Sequence, residues 1–111
     1  MTFASEELEG GITKVVLNGR IDIQGAQAID LKMNVVGGTA KKLLIDLQQV
    51  EFIGSMGLRS LVVPAQAVTR RGGKVVLFAP VKMVEDVLRA SNLQAVLPIH
   101  HDLTAALVAL A

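Results

Sequence analysis

Cysteine is absent from the 111 residues, which excludes disulfides, thiol catalysis and thiolate metal sites. Tryptophan and tyrosine are absent too, and three phenylalanines remain, too few to build a stacking platform for single-stranded nucleic acid. Neither sign of charge is in excess: 11 basic residues against 10 acidic ones leave a net charge of +1 at pH 7. The overall balance therefore lacks the electrostatic footprint of a nucleic-acid binder. No apolar run approaches the roughly 20 residues that cross a bilayer. The first residues, MTFASEELEGG, carry acid where a secretory signal carries base. A cytoplasmic protein with no membrane insertion is expected.

What is present is apolar. Hydrophobic residues make up 51% of the chain against 19% charged, which excludes disorder. The length suits one core, so residues 1–111 are expected to form a single domain.

The stretch Leu43–Leu58, LLIDLQQVEFIGSMGL, organises the rest. Leu43-Leu44-Ile45 is a short apolar run of the kind found in a buried strand. Asp46 reads as a turn residue at its end. Val50, Phe52 and Ile53 lead to a turn at Gly54-Ser55, and Leu58, Leu61, Val62 and Ala65 then recur at helical spacing. Ser55 thus stands at the start of a helix. From position alone an ordinary N-cap is the plainer reading. A phosphate on the same hydroxyl would be favoured by the helix dipole and by the unpaired N–H groups there.

On either side the elements follow in order. A strand over residues 3–9, a Gly10-Gly11 turn and a strand over 12–18 form an antiparallel hairpin. Asp22 caps a helix over 25–36 with Ile29, Met33 and Val36 on one face, Ala28, Leu31 and Val35 widening it, and Gly37-Gly38 ending it. The strand over 42–47 lies parallel to the second strand. The helix from Ser55 to about Arg70 is kinked at Pro64, and Arg70-Arg71 faces its negative end. A strand follows over 74–79, then a helix opened by Pro80 and buried through Val81, Val84, Val87 and Leu88, which stops at Ser91-Asn92-Leu93. Val96–Ile99 forms an edge strand that tolerates Pro98. Asp102 caps a last helix that packs through Leu103, Leu107 and Leu110. The pattern is one α/β domain: a mixed sheet of four or five strands with about four helices on it.

Few residues invite catalytic chemistry. His100-His101-Asp102 could suggest a metal, but neighbours on a strand point to opposite faces, and a loop followed by a helix cap accounts for them. No phosphate-cradling GxxxxGK[ST] loop or G-x-S-x-G elbow is present, so an enzyme has no supporting constellation and no metal or cofactor is expected. Met56, Arg59, Val63 and Gln66 form a second stripe on the Ser55 helix, away from its apolar face. Met56 and Val63 are apolar where a solvated face would be polar, which suits a protein-binding surface.

Ile45-Asp46-Leu47, Phe52-Ile53 and Gly54-Ser55-Met56-Gly57-Leu58 together resemble the signature of the STAS domain, the anti-sigma factor antagonist family. That signature runs strand, Asp-Leu, an apolar pair, Asp-Ser-Ser/Ala-Gly-Leu, then helix. Gly19-Arg20-Ile21-Asp22 is similar to the family's Gly-x-Leu-Asp, and Ser91-Asn92-Leu93 to its Ser-Gly-Leu. Two departures stand in the acceptor loop: Gly54 for the family's Asp and Met56 for a small residue.

The resemblance implies a bacterial, non-enzymatic regulator of transcription. Unphosphorylated, it would bind an anti-sigma factor that is also a serine kinase; phosphorylation of Ser55 would end that complex and a metal-dependent serine phosphatase would restore it. Asp22, Gly54, Ser55, Met56, Gly57, Arg59 and Val63 are the implied partner-binding residues, and homodimerisation is left open. Gly54 motivates a second reading: a STAS scaffold or accessory subunit of a stress-signalling or lipid-transport assembly, without regulated phosphorylation. Small-molecule binding at the Ser55 helix start is weaker, since no converging polar groups are legible.

Overall fold

Thr2–Leu8 (β1) and Ile12–Ile21 (β2) form the antiparallel hairpin. Leu8 faces Ile12, so Glu9 joins the two glycines in a three-residue connection rather than a two-residue turn. Gly10 and Gly11 have φ of 81° and 74°, the left-handed region where a Cβ is costly. The chain continues through Ile23–Thr39 (α1), Lys42–Ile53 (β3), Ser55–Arg70 (α2), Lys74–Phe78 (β4), Lys82–Ala90 (α3), a 3₁₀ turn at Leu93–Ala95, Ile99–His100 (β5) and Leu103–Leu110 (α4). The structure is a computed structural model and describes residues 1–95 and 97–111.

The five strands lie in the order β1-β2-β3-β4-β5. Only the first pair is antiparallel, which gives the mixed α/β sheet that the element order implies. One sheet face packs its main core, Val15, Leu17, Leu43, Ile45, Leu47, Val75 and Leu77, under α1, α2 and α3. The opposite face carries a smaller cluster, with Ile12, Leu44, Val76 and Phe78 against Ala106 and Leu110 of α4.

β3 runs six residues further than expected, to Ile53, and Asp46 does not end it. The reason is two β-bulges. Leu47 and Gln48 oppose only Leu17 of β2, and Glu51 is a second extra residue between the pairs Gly19–Val50 and Arg20–Phe52. Each insertion turns alternation into a spacing of three, so Leu47, Val50 and Ile53 all face the core, 0%, 0% and 2% exposed. The buried Asp46 carboxylate accepts the Gln48 N–H at 2.9 Å and its amide at 3.1 Å. It therefore pins the first bulge, with Lys14 Nζ 3.9 Å away.

α1 also outruns its expected end. Gly37 and Gly38 lie inside it, and the helix closes at Ala40, whose N–H returns to Val36 O. A Cβ on Gly37 would sit 2.7 Å from Pro64, so this glycine serves contact between α1 and α2 rather than a cap. The buried face is Ala26, Ile29, Met33 and Val36, while Ala28, Leu31 and Val35 turn to solvent. α2 has the expected bounds and passes through a buried Pro64 without interruption. Leu61, Ala65 and Val68 are its deepest apolar residues, with Leu58 and Val62 packed beside them.

Arg71 ties the ends of both helices together. Its guanidinium donates to Gly37 O and Ala40 O at 2.6 Å each, and to Ala67 O at 3.2 Å. These are carbonyls that helix termini leave unpaired.

The remaining differences are local. Pro80 precedes rather than opens α3, whose N-cap is Val81, 40% exposed; Val84 and Leu88 carry its burial. Asn92 has φ of 58°, the left-handed stop expected after that helix. Ala79 leaves β4 at φ 51°. The expected strand at 96–99 starts on Val96, outside the described residues; the described strand is Ile99–His100, at the sheet edge. Leu103 is 46% exposed, and α4 packs instead through Ala106 and Leu110.

Candidate partner-binding site

The parallel strands deliver their following elements to one edge of the sheet, where crevices of α/β folds receive ligands. β2 ends there in Ile21 and leads to Asp22, which caps α1 by accepting the Gly25 N–H at 2.8 Å. β3 ends beside it in Ile53, since Ile21 and Ile53 are paired. Gly54 N–H donates to Ile21 O at 3.0 Å, and α2 begins at the next residue.

Gly54, not Ser55, is the N-cap, and no side chain caps the helix. Ser55 is the first helical residue and is exposed; its hydroxyl does not perform the capping that its position suggests. Gly57 is held for steric reasons, because a Cβ there would lie 2.5 Å from Ile21 O and 2.6 Å from Ile21 Cγ2. The first turn of α2 thus rests directly on the end of β2. Gly54 is under no such constraint. A Cβ there meets the Phe52 ring at 3.5 Å and Ile21 O at 4.0 Å, both ordinary contacts, and its φ of −104° suits any residue.

Two side chains at this edge escape the sequence pattern. Arg20 lies 4.5 Å above the Phe52 ring and 3.9 Å from the Asp22 carboxylate. The stack forms because the second bulge brings Phe52 opposite Arg20. Cation–π contact at an exposed site contributes about 0.5–1 kcal/mol, which favours the guanidinium over the Phe52 ring.

Along α2 the expected surface stripe is present: Met56 and Val63 are 43% and 44% exposed, and Arg59 and Gln66 face solvent. Met56, Arg59 and Val63 line a groove of about 220 Å³ with Asp30 and Asn34 of α1. On the groove floor, Ser60, 5% exposed, donates its hydroxyl to Asp30 at 2.5 Å. The signal for this pair was a serine amid the small residues Gly57 and Pro64 at helical spacing, all three buried.

The structure therefore brings Asp22, Gly54, Ser55 and Gly57 to one edge, with Met56, Arg59 and Val63 continuing from it along α2. His101 and Asp102 lie elsewhere. His101 Nε2 sits 2.6 Å from Glu85 Oε1, and Asp102 caps α4 through the Ala105 N–H at 3.1 Å. Arg89 hydrogen-bonds Glu85 as well and, with His101, holds its carboxyl below its ordinary pKa. Among the described residues, no group of three or more His, Asp or Glu side chains is placed to hold a metal ion. No helix among them is long and apolar enough to cross a membrane.

The STAS domain family model matches residues 5–106, while no curated protein matches the chain. An anti-sigma factor antagonist from Mycobacterium paratuberculosis is similar at 28% identity over 98% of this chain and 92% of its own, with a TM-score of 0.86. An anti-sigma-factor antagonist (STAS) domain protein from Planctomyces limnophilus shares the fold at a TM-score of 0.86, with 23% identity over 98% of this chain and 97% of that one. The Bacillus cell fate determinant SpoIIAA, in its phosphorylated form, shares it at 0.71, with 17% identity over 94% and 96% of the two chains.

Proposed function

The chain belongs to the STAS domain family, and from that membership we propose that it is a bacterial anti-sigma factor antagonist, a cytoplasmic binding protein rather than an enzyme. Its partner is an anti-sigma factor with serine kinase activity, bound through Asp22, Gly54, Ser55, Met56, Gly57, Arg59 and Val63. Phosphorylation of Ser55 ends the complex and a metal-dependent serine phosphatase renews it. The observation that carries this reading is the position of Ser55: exposed, at the first residue of α2, and not used as the helix cap.

The physics of the switch is local. A phosphate adds about −1.5 to −2 charges at pH 7. At the first position of α2 it meets the positive end of the helix. Arg59 stands four residues on, the spacing at which helical side chains meet. The fold therefore accommodates the phosphate. Buried in an interface, the same charge must be desolvated, and every 1.4 kcal/mol or so lost weakens binding tenfold.

The test is binding of the cognate anti-sigma kinase to the native protein, Ser55→Ala and Ser55→Glu. Native and Ser55→Ala proteins should bind alike, and Ser55→Glu should bind at least tenfold more weakly. Equal binding by all three would overturn the reading.

The carboxylate missing at Gly54 favours a second reading, a STAS subunit of a larger stress-signalling or lipid-transport assembly, with Ser55 unmodified. Phosphosite mapping on protein isolated from its own host separates the two. Phosphate on Ser55 supports the switch; its absence through growth and stress, with co-purification in a large complex, supports the scaffold.

A further inference from the structure

The edge of the sheet opposite Ser55 has a different character. Three connections meet there: the Gly10-Gly11 turn, the α1–β3 link through Lys41, and the α2–β4 link through Arg71, Gly72 and Gly73. They bring together Lys41, Lys42, Arg70, Arg71 and Lys74, five of the chain's 11 basic residues. Four of these, Lys41, Lys42, Arg71 and Lys74, line a hollow of about 390 Å³ with Val68 and the two glycines. Arg70 adjoins it, exposed at the end of α2.

None of the five pairs with an Asp or Glu side chain among the described residues, whereas Lys14, Arg20, Lys82 and Arg89 each do. Arg71 is committed to helix-end carbonyls, Lys42 Nζ to Gly10 O at 3.3 Å and Lys74 Nζ to Ala111 O at 2.6 Å. The acceptors of Lys42 and Arg71 are neutral backbone oxygens, so the positive charge of these two, with that of Lys41 and Arg70, stays largely uncompensated among the described residues. Like charges gathered in this way oppose folding. The chain holds nearly as many carboxylates as cations, so the segregation is local rather than compositional.

We infer that this edge is a second docking surface, and that its partner is an acidic, carboxylate-rich segment of another protein. The donors available decide the chemistry. Gly72, Gly73 and Lys74 give their N–H groups to Thr69, Val68 and Lys41 carbonyls, so the glycine turn is not a backbone cradle for a single phosphate. What remains is ammonium and guanidinium groups on flexible stems, point charges that match several carboxylates spread along a peptide. Among the described residues the only apolar side chain lining the hollow is Val68, 0% exposed, so none of them offers an exposed apolar side chain to a lipid layer. None of the three phenylalanines lines the hollow, so nucleic-acid bases find no stacking partner in it. The surface lies the length of β2 away from Ser55, roughly 30 Å at about 3.3 Å per residue, so both edges can be engaged at once.

The test is fluorescence anisotropy of a labelled oligo-glutamate peptide at low salt. Native protein should bind it, and the triple variant Lys41→Gln, Arg70→Gln, Lys74→Gln should bind about tenfold more weakly or less, with binding by both falling as salt rises. A control variant that removes the same charge elsewhere, Lys32→Gln, Lys82→Gln, Arg89→Gln, should bind as the native protein does. All six side chains are exposed or at the rim, and circular dichroism verifies that both variants fold. Absence of binding, or equal loss in both variants, would overturn the inference. Equimolar phosphatidylserine–phosphatidylcholine vesicles and a short DNA duplex run alongside; tighter binding of either, lost in the first variant alone, would also overturn it and reassign the surface. Neither result depends on whether Ser55 is a phosphate acceptor.

Discussion

Gly37 of α1 lies against the ring and backbone of Pro64 of α2, with room for a hydrogen but not a methyl group: a Cβ would fall 2.7 Å from both Pro64 Cα and Cβ. The partner is backbone and a closed ring, which cannot swing aside. Gly37→Ala should therefore destabilise by about 1–3 kcal/mol, the usual cost of overpacking, despite its gain in helix propensity. The neighbouring Gly38 is exposed in the same helix with nothing within 4 Å of its Cβ position, so Gly38→Ala should stabilise by about 0.5–1 kcal/mol. Urea unfolding of the two variants reads both signs.

This pair also explains one failure of sequence reading. A double glycine after an apolar helical pattern reads as a stop, yet one of the two is a packing contact and the other is a tolerated surface residue. Leu31 and Val35 misled in the complementary way, since apolar residues at helical spacing suggest burial and these face solvent. The register of β3 was legible only as far as Leu47, because alternation fails at each bulge and a period of three is not a strand signal. By contrast, the Asp22 cap, the bounds of α2, the stop at Asn92 and the exposed Met56–Val63 stripe all followed from local rules. The Arg20–Phe52 stack could not be read, because it depends on the second bulge.

Under the proposed function, Gly54→Asp supplies the carboxylate that the resemblance implies just before Ser55. The site has space for it and an extended φ, and aspartate caps helices at least as well as glycine. Stability should change by no more than a few tenths of a kcal/mol, in the stabilising direction. Phosphorylation of Ser55 by the cognate kinase should become faster, as followed by incorporation of labelled phosphate.

Arg71→Met keeps the side-chain stem and removes its hydrogen bonds to Gly37, Ala40 and Ala67 carbonyls. Hydrogen bonds from a charged donor contribute about 1.5–3 kcal/mol each at best; the two to Gly37 and Ala40 are part-buried and the one to Ala67 is exposed. A net loss of roughly 2–3 kcal/mol is expected. Hydrogen exchange should show the loss first at the last turn of α1.

Glu85 supplies a pH dependence. Arg89 first, then His101, favour its ionised form and lower its pKa; the share from the permanently charged Arg89 is complete above the ordinary carboxylate range and is lost as pH falls through the depressed value. The difference in melting temperature between native protein and Glu85→Gln should shrink as pH falls through and below the ordinary carboxylate range of about 4.3. A difference independent of pH would refute the assignment.

The seat of α2 on Ile21, enforced by Gly57, has a consequence for timing. Under the proposed function, the serine that records the signal is mounted on a fixed helix rather than a mobile segment. No ordering or melting step separates the chemical event from its readout. The protein then has no lag and no memory of its own: its output at any instant is set by the ratio of kinase to phosphatase activity. Delay or persistence in the response must come from those enzymes or from the lifetime of the complex.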